Sequence, residues 1–448
     1  MNVSSIKRLF SKDFVSTLIN FSSKYLFRLA LIIIIPLCID GITKGYWYTF
    51  GSIAALSMIA DMGFTTIITQ FSAHEFAHVQ FDEKNRTLLS DEQDNLKLSS
   101  LFKFSNKWSI IATIIASIII FVVGFVMFLP ENDGIEWFLP WIIYVLATGL
   151  NFFATVLMSF FEGCGCISIC QKIKLVSNIS NSAISILFLL LGFGLFALSI
   201  PLLVGSLLSF VLIIILFREF IKQLITIKNH EEKEWIKPIF KLLWKYALSW
   251  CSGYVIYQIY TPLTFKVYGA EISGKVGYTL TIVSALVSIA GIWNYISVPK
   301  INTHVEKKEW RLLDKEFKKN MTLIEISFGL LSFCLIVSSF IPFTSDFTHK
   351  YVLLGIPLFC LLVGYAVQIA TAYIAVYLRA HKEEPLMITS IITAILSLSI
   401  TFFMITYLSY EYVFLGFGLA TALVFPFVCW IFVKRKKKHK LESGDSLI

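Results

Sequence analysis

The chain has 448 residues, of which 57% are hydrophobic and 15% are charged, and its mean hydropathy is +0.76. Soluble domains carry about 25% charged residues, so this composition excludes a water-soluble fold and indicates an integral membrane protein. The formal net charge of +9 is therefore not evidence for nucleic acid binding. It reflects membrane topology and attraction to anionic lipid.

Twelve apolar runs follow one another along the chain, each long enough to cross a hydrocarbon core of about 30 Å. The predicted spans are Phe21–Ile39, Tyr46–Phe71, Trp108–Leu129, Trp137–Phe161, Leu175–Leu191, Leu195–Phe217, Tyr246–Phe265, Val276–Val298, Met321–Phe343, Tyr351–Leu378, Leu386–Tyr407 and Tyr412–Val433. No A-x-A cleavage site follows the first run, so we interpret it as a retained span. The predicted organisation is an N-terminal six-helix bundle over 1–217, a cytoplasmic linker over 218–245, a C-terminal six-helix bundle over 246–433 and a basic cytoplasmic tail over 434–448.

The distribution of basic residues predicts the orientation. With the N-terminus in the cytoplasm, all but four of the 38 Lys and Arg residues fall on the cytoplasmic side or its margins. The four on the outer side are Lys44, Lys266, Lys275 and Lys350. Because Lys and Arg are retained on the cytoplasmic side, both termini are predicted to be cytoplasmic.

The loops argue against an enzyme. The three long connections, Ser72–Lys107, Arg218–Lys245 and Pro299–Asn320, are all on the predicted cytoplasmic side, and the outer loops are short. Segments below about 40 residues rarely fold into a domain by themselves. The chain is therefore expected to move a substrate, and no catalytic residue or cofactor is assigned.

Two groups of possible metal ligands do not predict a metal site. They are Cys164, Cys166 and Cys170 at the inner end of the fourth span, and His74, Glu75 and His78 on an interfacial helix predicted over Phe71–Phe81. A structural zinc site has four ligands in paired spacing, which neither group offers. No metal is expected.

A weak internal repeat relates the first and seventh spans. The matched residues are Lys24-Tyr25 with Lys245-Tyr246, Pro36 with Pro262, and Gly45-Tyr46 with Gly277-Tyr278. Two six-span halves of the same orientation predict parallel repeats about an axis along the membrane normal. Chance similarity is the alternative, because few residues match.

Three stretches carry a resemblance to a known family. Gly45-Tyr-Trp47 and Asp61-Met-Gly63-Phe64 resemble the G-x-W and D-x-G-F pattern of bacterial Wzx-type flippases, which move lipid-linked O-antigen or capsule repeat units. The stretch Phe161-Glu162-Gly163-Cys164-Gly165 is similar to the E-G-x-G turn of these transporters. Twelve spans, cytoplasmic termini, short outer loops and a basic tail agree over essentially the whole chain.

The resemblance implies the fold of the multidrug/oligosaccharidyl-lipid/polysaccharide exporter superfamily. That fold is all-α, with two parallel six-helix halves in a V around a central cavity that opens alternately to each side. The implied cargo is an undecaprenyl-diphosphate-linked repeat unit of lipopolysaccharide O-antigen or capsule, moved to the outer leaflet of the bacterial inner membrane. The implied partners are a coupling ion (H⁺ or Na⁺), a polysaccharide polymerase and a chain-length regulator. A monomer is expected, because the cavity lies within one chain.

Charged residues within spans are costly and are therefore candidates for function. Arg28 and Lys24 share one helical face, and the guanidinium of Arg28 is expected to bind the diphosphate of the cargo. Asp61 lies near mid-membrane and is expected to bind a proton or cation, or to pair with Arg28. The alternatives are a fixed ion pair, snorkelling of Arg28, and a packing role for the Asp-Gly motif.

Two series of side chains at helical spacing could line a substrate path. They are Asn178, Asn181, Ser182 and Ser185 on span five, and Trp250, Tyr254, Tyr257, Gln258 and Thr261 on span seven. Amides and hydroxyls suit sugar hydroxyls, but the same residue types also join transmembrane helices. Lys266 and Glu325 are weaker candidates, because both lie close enough to a membrane surface to snorkel.

Pro36 and Pro262 are the predicted gating residues. Proline removes a backbone hydrogen bond and clashes with the carbonyl four residues earlier, here that of Ile32 or Gln258. Both spans are therefore expected to bend in their outer halves.

Two other transporter classes compete with the flippase. A drug or metabolite cation antiporter of the same fold is the nearer one. A major-facilitator transporter would also have two six-span halves, but the loop Ser72–Lys107 lacks the G-x-x-x-D-R/K-x-G-R/K pattern of that family.

Overall fold

The computed structural model describes residues 12–82, 86–89, 92–131, 133–227, 235–381 and 385–442. Within these ranges, 11 helices are long and apolar enough to cross a membrane, so the chain is a multi-pass membrane protein. The described chain divides into two compact units, unit 1 and unit 2, with the boundary between Cys251 and Ser252. The last residues of the predicted tail, 443–448, lie outside the described ranges.

The described part of unit 1 is helical apart from one short hairpin and the connecting turns. Its helices are α1 (Lys12–Cys38), α2 (Gly41–Ala54), α3 (Ser57–Asp61), α4 (Phe64–Phe76), α5 (Glu92–Phe128), α6 (Phe138–Gly163), α7 (Ile167–Leu190), α8 (Phe196–Leu216), α9 (Arg218–Thr226) and α10 (Ile236–Tyr257), which continues into unit 2. Strands β1 (Phe81–Asp82) and β2 (Thr87–Leu88) pair antiparallel.

Unit 2 is helical throughout its described part. Its helices are α11 (Tyr260–Ala290), α12 (Ile292–Glu306), α13 (Trp310–Ser338), α14 (Pro342–Tyr351), α15 (Ile356–Ala380), α16 (Met387–Tyr407) and α17 (Leu415–Glu442), with a 3₁₀ turn at Tyr410–Tyr412. Their core is one apolar cluster that includes Tyr260, Phe317, Leu361, Tyr377 and Phe417.

The longest apolar stretch, Tyr246–Glu306, contains two membrane crossings. Gly269 has φ 79° and ψ −177°, a conformation that ends α-helical geometry and suits only glycine. The Oγ of Ser273 donates to the carbonyl of Thr261 at 3.0 Å, whereas twelve residues of continuous helix would separate these residues by about 18 Å. The chain therefore reverses at Gly269, so the 11 apolar stretches of the described residues provide twelve crossings, the number predicted.

The second span is broken in the middle, which the sequence prediction of one helix over Tyr46–Phe71 missed. Met62 and Gly63 both have left-handed φ values, 47° and 75°, between α3 and α4. A Cβ at Gly63 would lie 3.0 Å from both the Cβ of Tyr246 and the Nε1 of Trp250. Glycine is thus required both for its φ and for the close approach of α10.

The helices around the two predicted gating prolines differ in continuity. α10 ends at Tyr257 and α11 begins at Tyr260, so the helix is interrupted at Gln258, four residues before Pro262. Proline has no N–H to donate to the carbonyl four residues earlier, which explains an interruption at this position. At Pro36 no interruption is present, because α1 continues through this residue and ends at Cys38, and the predicted bend stays a prediction. A proline in the last turn has almost no helix beyond it to bend.

The first long connection is more ordered than predicted. The interfacial helix predicted over Phe71–Phe81 is wrong, because α4 ends at Phe76 and the β-hairpin follows. The Gln223 side chain of α9 pairs with both backbone groups of Leu88, which fixes the start of the predicted linker against the hairpin.

At the other end of the chain, the basic tail continues α17 to Glu442, and Lys436 pairs with Asp314 at 2.7 Å.

Candidate functional site

A chain of hydrogen bonds joins α1, α6 and α7 near the predicted cytoplasmic end of unit 1. Glu162 Oε1 accepts from Lys174 Nζ at 2.7 Å and from Gln171 Nε2 at 3.2 Å. Gln171 Oε1 accepts from Asn20 Nδ2 at 2.8 Å, and Asn20 Oδ1 accepts from Asn178 Nδ2 at 3.0 Å. An ionised carboxylate can only accept hydrogen bonds, so Glu162 determines which way each side-chain amide of this hydrogen-bond chain is oriented.

Two further cations lie beside this chain. Lys24 is close enough to Arg28 and Lys174 that both charges repel it. Asn20, Lys24 and Arg28 are spaced by four residues on α1 and share one face, so Arg28 lies about 12 Å deeper along the helix than Asn20. The structure therefore groups the predicted Lys24 and Arg28 with Lys174, which the sequence analysis did not identify.

The turn after α6 positions Glu162. Cys166 N donates to Phe161 O at 3.0 Å, and Gly165 N donates to Glu162 O at 3.1 Å, which is a Schellman motif with Gly165 at φ 79°. A Cβ on Gly163 would lie 2.5 Å from the Thr69 carbonyl, so this glycine allows α6 to pack closely on α4. The E-G-x-G turn thus aims Glu162 at the first turns of α7.

Asp61 caps the restarted half of the broken second span. Its Oδ1 accepts from the Thr65 backbone N at 3.1 Å, and its Oδ2 accepts from the Thr65 Oγ1 at 3.0 Å. An acidic side chain in this position satisfies an N–H group at the beginning of a helix. This geometry supports the alternative in which Asp61 stabilises the helix break, and leaves the expectation of a proton or cation site untested.

The predicted polar series on span five makes contacts in different places. Asn178 belongs to the hydrogen-bond chain with α1. Ser185 donates to the Ala197 carbonyl of α8 at 2.7 Å, and a Cβ on Gly205 of α8 would lie 3.2 Å from the Asn181 Cβ. Asn181 and Ser185 therefore join α7 to α8, the packing role that small and polar residues have in membranes.

The predicted series on span seven is divided between the two units. Trp250 packs at the Gly63 break in unit 1. In unit 2 the side chain of Tyr254 is buried, and Tyr257 stacks on Tyr365 with ring centroids 6.2 Å apart. Lys266 is exposed, three residues before the reversal at Gly269.

Gln258 and Thr261 flank the beginning of α11. Gln258 lies in the interruption between α10 and α11, and its backbone N donates to the Tyr254 carbonyl at 2.8 Å. Thr261 is buried, and its carbonyl accepts the Ser273 hydroxyl.

A small cavity of about 20 Å³ lies within unit 2, which is room for about one water-sized molecule. Its polar lining consists of Gln368, Thr371, Thr389, Ser390, Thr393 and Thr421. Each of the five hydroxyls donates its proton to a carbonyl three or four residues earlier in its own helix. Mainly oxygen lone pairs are left to face the cavity, so it suits a hydrogen-bond donor or a small cation.

No protein-family model and no curated protein matches the sequence. Solved structures do match. An inward-facing multidrug resistance MATE family transporter of the MOP superfamily aligns with a TM-score of 0.57 and 13% identity over 93% of this chain and 99% of that chain. The lipid II flippase MurJ, in an inward closed conformation, aligns with a TM-score of 0.60 and 14% identity over 96% and 90%.

The MATE multidrug transporter DinF-BH, solved with a bound ligand, aligns with a TM-score of 0.61 and 13% identity over 94% of each chain. At such low identity the similarity establishes the fold alone. The chain thus has the all-α fold of MOP-superfamily transporters, which confirms the fold class predicted from its sequence.

Proposed function

We propose that this protein moves a polyprenyl-diphosphate-linked oligosaccharide repeat unit from the cytoplasmic to the outer leaflet of a bacterial inner membrane by alternating access. The observation that carries the proposal is the group of three cations, Lys24, Arg28 and Lys174, at the predicted cytoplasmic end of unit 1. Arg and Lys bind phosphate oxygens through charge-assisted hydrogen bonds. The likeness to a lipid II flippase supports a lipid-linked cargo.

A drug or metabolite cation antiporter is the second candidate, and the likeness to MATE multidrug transporters favours it. An organic cation, however, would be repelled by Lys24, Arg28 and Lys174. The charge of this group therefore favours an anionic headgroup over a cationic drug.

Of the two coupling ions considered, the cavity in unit 2 favours Na⁺. Its polar lining consists of five hydroxyls and one amide, none of which titrates in the physiological range, and hard cations prefer oxygen ligands. The expected result is that replacing Na⁺ by K⁺ at constant pH slows transport in proteoliposomes, and that Thr393→Val removes the difference. Equal rates in both salts, with a dependence on the pH gradient, would favour H⁺.

The proposed function is tested genetically. Deletion of the gene should abolish surface polysaccharide while lipid-linked repeat units persist on the cytoplasmic leaflet. Neither a polymerase nor a chain-length regulator should be able to compensate, because both act after translocation. Normal surface polymer in a strain without a paralogue would refute the proposal, and a gain in drug sensitivity alone would favour the antiporter.

A further inference from the structure

Glu162 forms an ion pair with Lys174, one of the cations that would be needed to bind a diphosphate. Its Oε1 atom takes both the Lys174 ammonium at 2.7 Å and the Gln171 amide at 3.2 Å. The two charged side chains are only partly exposed, 28% for Lys174 and 18% for Glu162, which strengthens their attraction relative to a fully solvated pair. In this structure Lys174 is thus paired with an internal anion.

The surroundings of Lys174 favour exchange of that anion. Lys24 experiences the positive charges of both Arg28 and Lys174, so Lys174 lies near two further cations while it is paired with Glu162. A disubstituted diphosphate carries a negative charge on each phosphate group, whereas Glu162 supplies one charge. A diphosphate approaching Lys24 and Arg28 therefore offers Lys174 a stronger partner than Glu162 does.

We propose that Glu162 is an intramolecular competitor for the diphosphate of the substrate, and that Lys174 exchanges Glu162 for the diphosphate when the substrate binds. The inference rests on the proposed function, because it assumes a diphosphate headgroup. It assigns Lys174 as a third binding residue and Glu162 as the residue that sets affinity and release. Glu162 takes Lys174 back as the diphosphate leaves, which limits how tightly the protein holds its product.

The exchange has a consequence for α1. The amides of Gln171 and Asn20 are oriented by Glu162 through the hydrogen-bond chain that ends at Asn178. When Lys174 moves to the diphosphate, Glu162 loses its charged partner. The Glu162 carboxylate is then held less firmly, and the hydrogen-bond chain that it orients is weakened. Substrate binding is thereby communicated to the helix that carries Lys24 and Arg28.

The test is a double-mutant cycle on binding of undecaprenyl diphosphate to the purified full-length protein in detergent. Glu162→Gln keeps the shape of the side chain and removes its charge, and should tighten binding about fivefold, which corresponds to roughly 1 kcal/mol. Lys174→Ala should weaken binding. In the Lys174→Ala background, Glu162→Gln should have no further effect, because the competition it relieves is already absent.

Two controls keep the outcomes separate. Lys172→Ala removes an exposed cation of the same helix and should leave binding unchanged. Glu162→Asp retains the charge on a shorter side chain and should tighten binding by less than Glu162→Gln. If Glu162→Gln has no effect, or the same effect with and without Lys174, the competitor role is wrong. If the wild type does not bind the probe, the proposed function itself fails.

Discussion

Removal of the Asp61 carboxylate should destabilise the break in the second span. Asp61→Ala deprives the Thr65 N–H and hydroxyl of their acceptor, and the N–H lies in a helix start that water cannot freely reach. Loss of a helix cap costs about 0.5–2 kcal/mol, and loss of a hydrogen bond to a charged group costs about 1.5–3 kcal/mol. We expect Asp61→Ala to lower the free energy of unfolding by about 2 kcal/mol.

Asp61→Asn separates the capping role from a titrating role. The Asn Oδ1 still accepts from the Thr65 N–H, so stability should fall by less than about 1 kcal/mol. Thermal unfolding in detergent and transport in proteoliposomes should both remain close to wild type, whereas Asp61→Ala should lower the Tm by several degrees. If Asp61→Asn abolishes transport at normal expression and stability, the capping account is insufficient and Asp61 is a proton or cation site.

Two further predictions concern the charge on α1 and the interruption before α11. Arg28→Ala should lose transport and Arg28→Lys should retain part of it, because a point charge attracts phosphate without the fork of the guanidinium; normal transport by the Ala variant would mean that Arg28 only snorkels. Pro262→Ala restores the missing N–H and should slow transport and reduce labelling of Tyr257→Cys from outside. Pro36→Ala, in the last turn of α1, should change the transport rate and the labelling much less. Equal effects of the two substitutions would contradict a hinge at the interruption before Pro262.

The twelve crossings were predictable because each apolar run is bounded by polar or turn residues, and the hydrophobic pattern alone decides this level of structure. The break at Met62 and Gly63 was not, because the run Tyr46–Phe71 is apolar on both sides of it. A single glycine in an apolar run is compatible with a continuous helix. Only the packing of α10 against Gly63 distinguishes the two cases.

The candidate site was predictable only in part. Lys24 and Arg28 are recognisable because they share one face of one helix. Glu162 and Lys174 come from two helices, and their pairing depends on the turn at Gly165. A signal was nevertheless present, because tight helical hairpins bring together residues twelve apart.

Four bonds across hairpins show that signal. They join Lys174 to Glu162, Ser185 to Ala197, Ser273 to Thr261 and Thr401 to Val413. A search for polar pairs at this spacing around a predicted glycine turn would have identified Lys174 as well.

The central claim is that the chain translocates a lipid-linked oligosaccharide, and proteoliposomes test it most directly. Purified protein is reconstituted into vesicles that carry an undecaprenyl-diphosphate-linked oligosaccharide in both leaflets, and a membrane-impermeant lectin or glycosidase reports the fraction on the outer surface. The account predicts that wild-type protein makes the whole pool accessible over time and that Arg28→Ala leaves half of it protected. If the wild type also leaves the inner half protected, under conditions in which it transports an organic cation, the protein is an antiporter and the account is wrong.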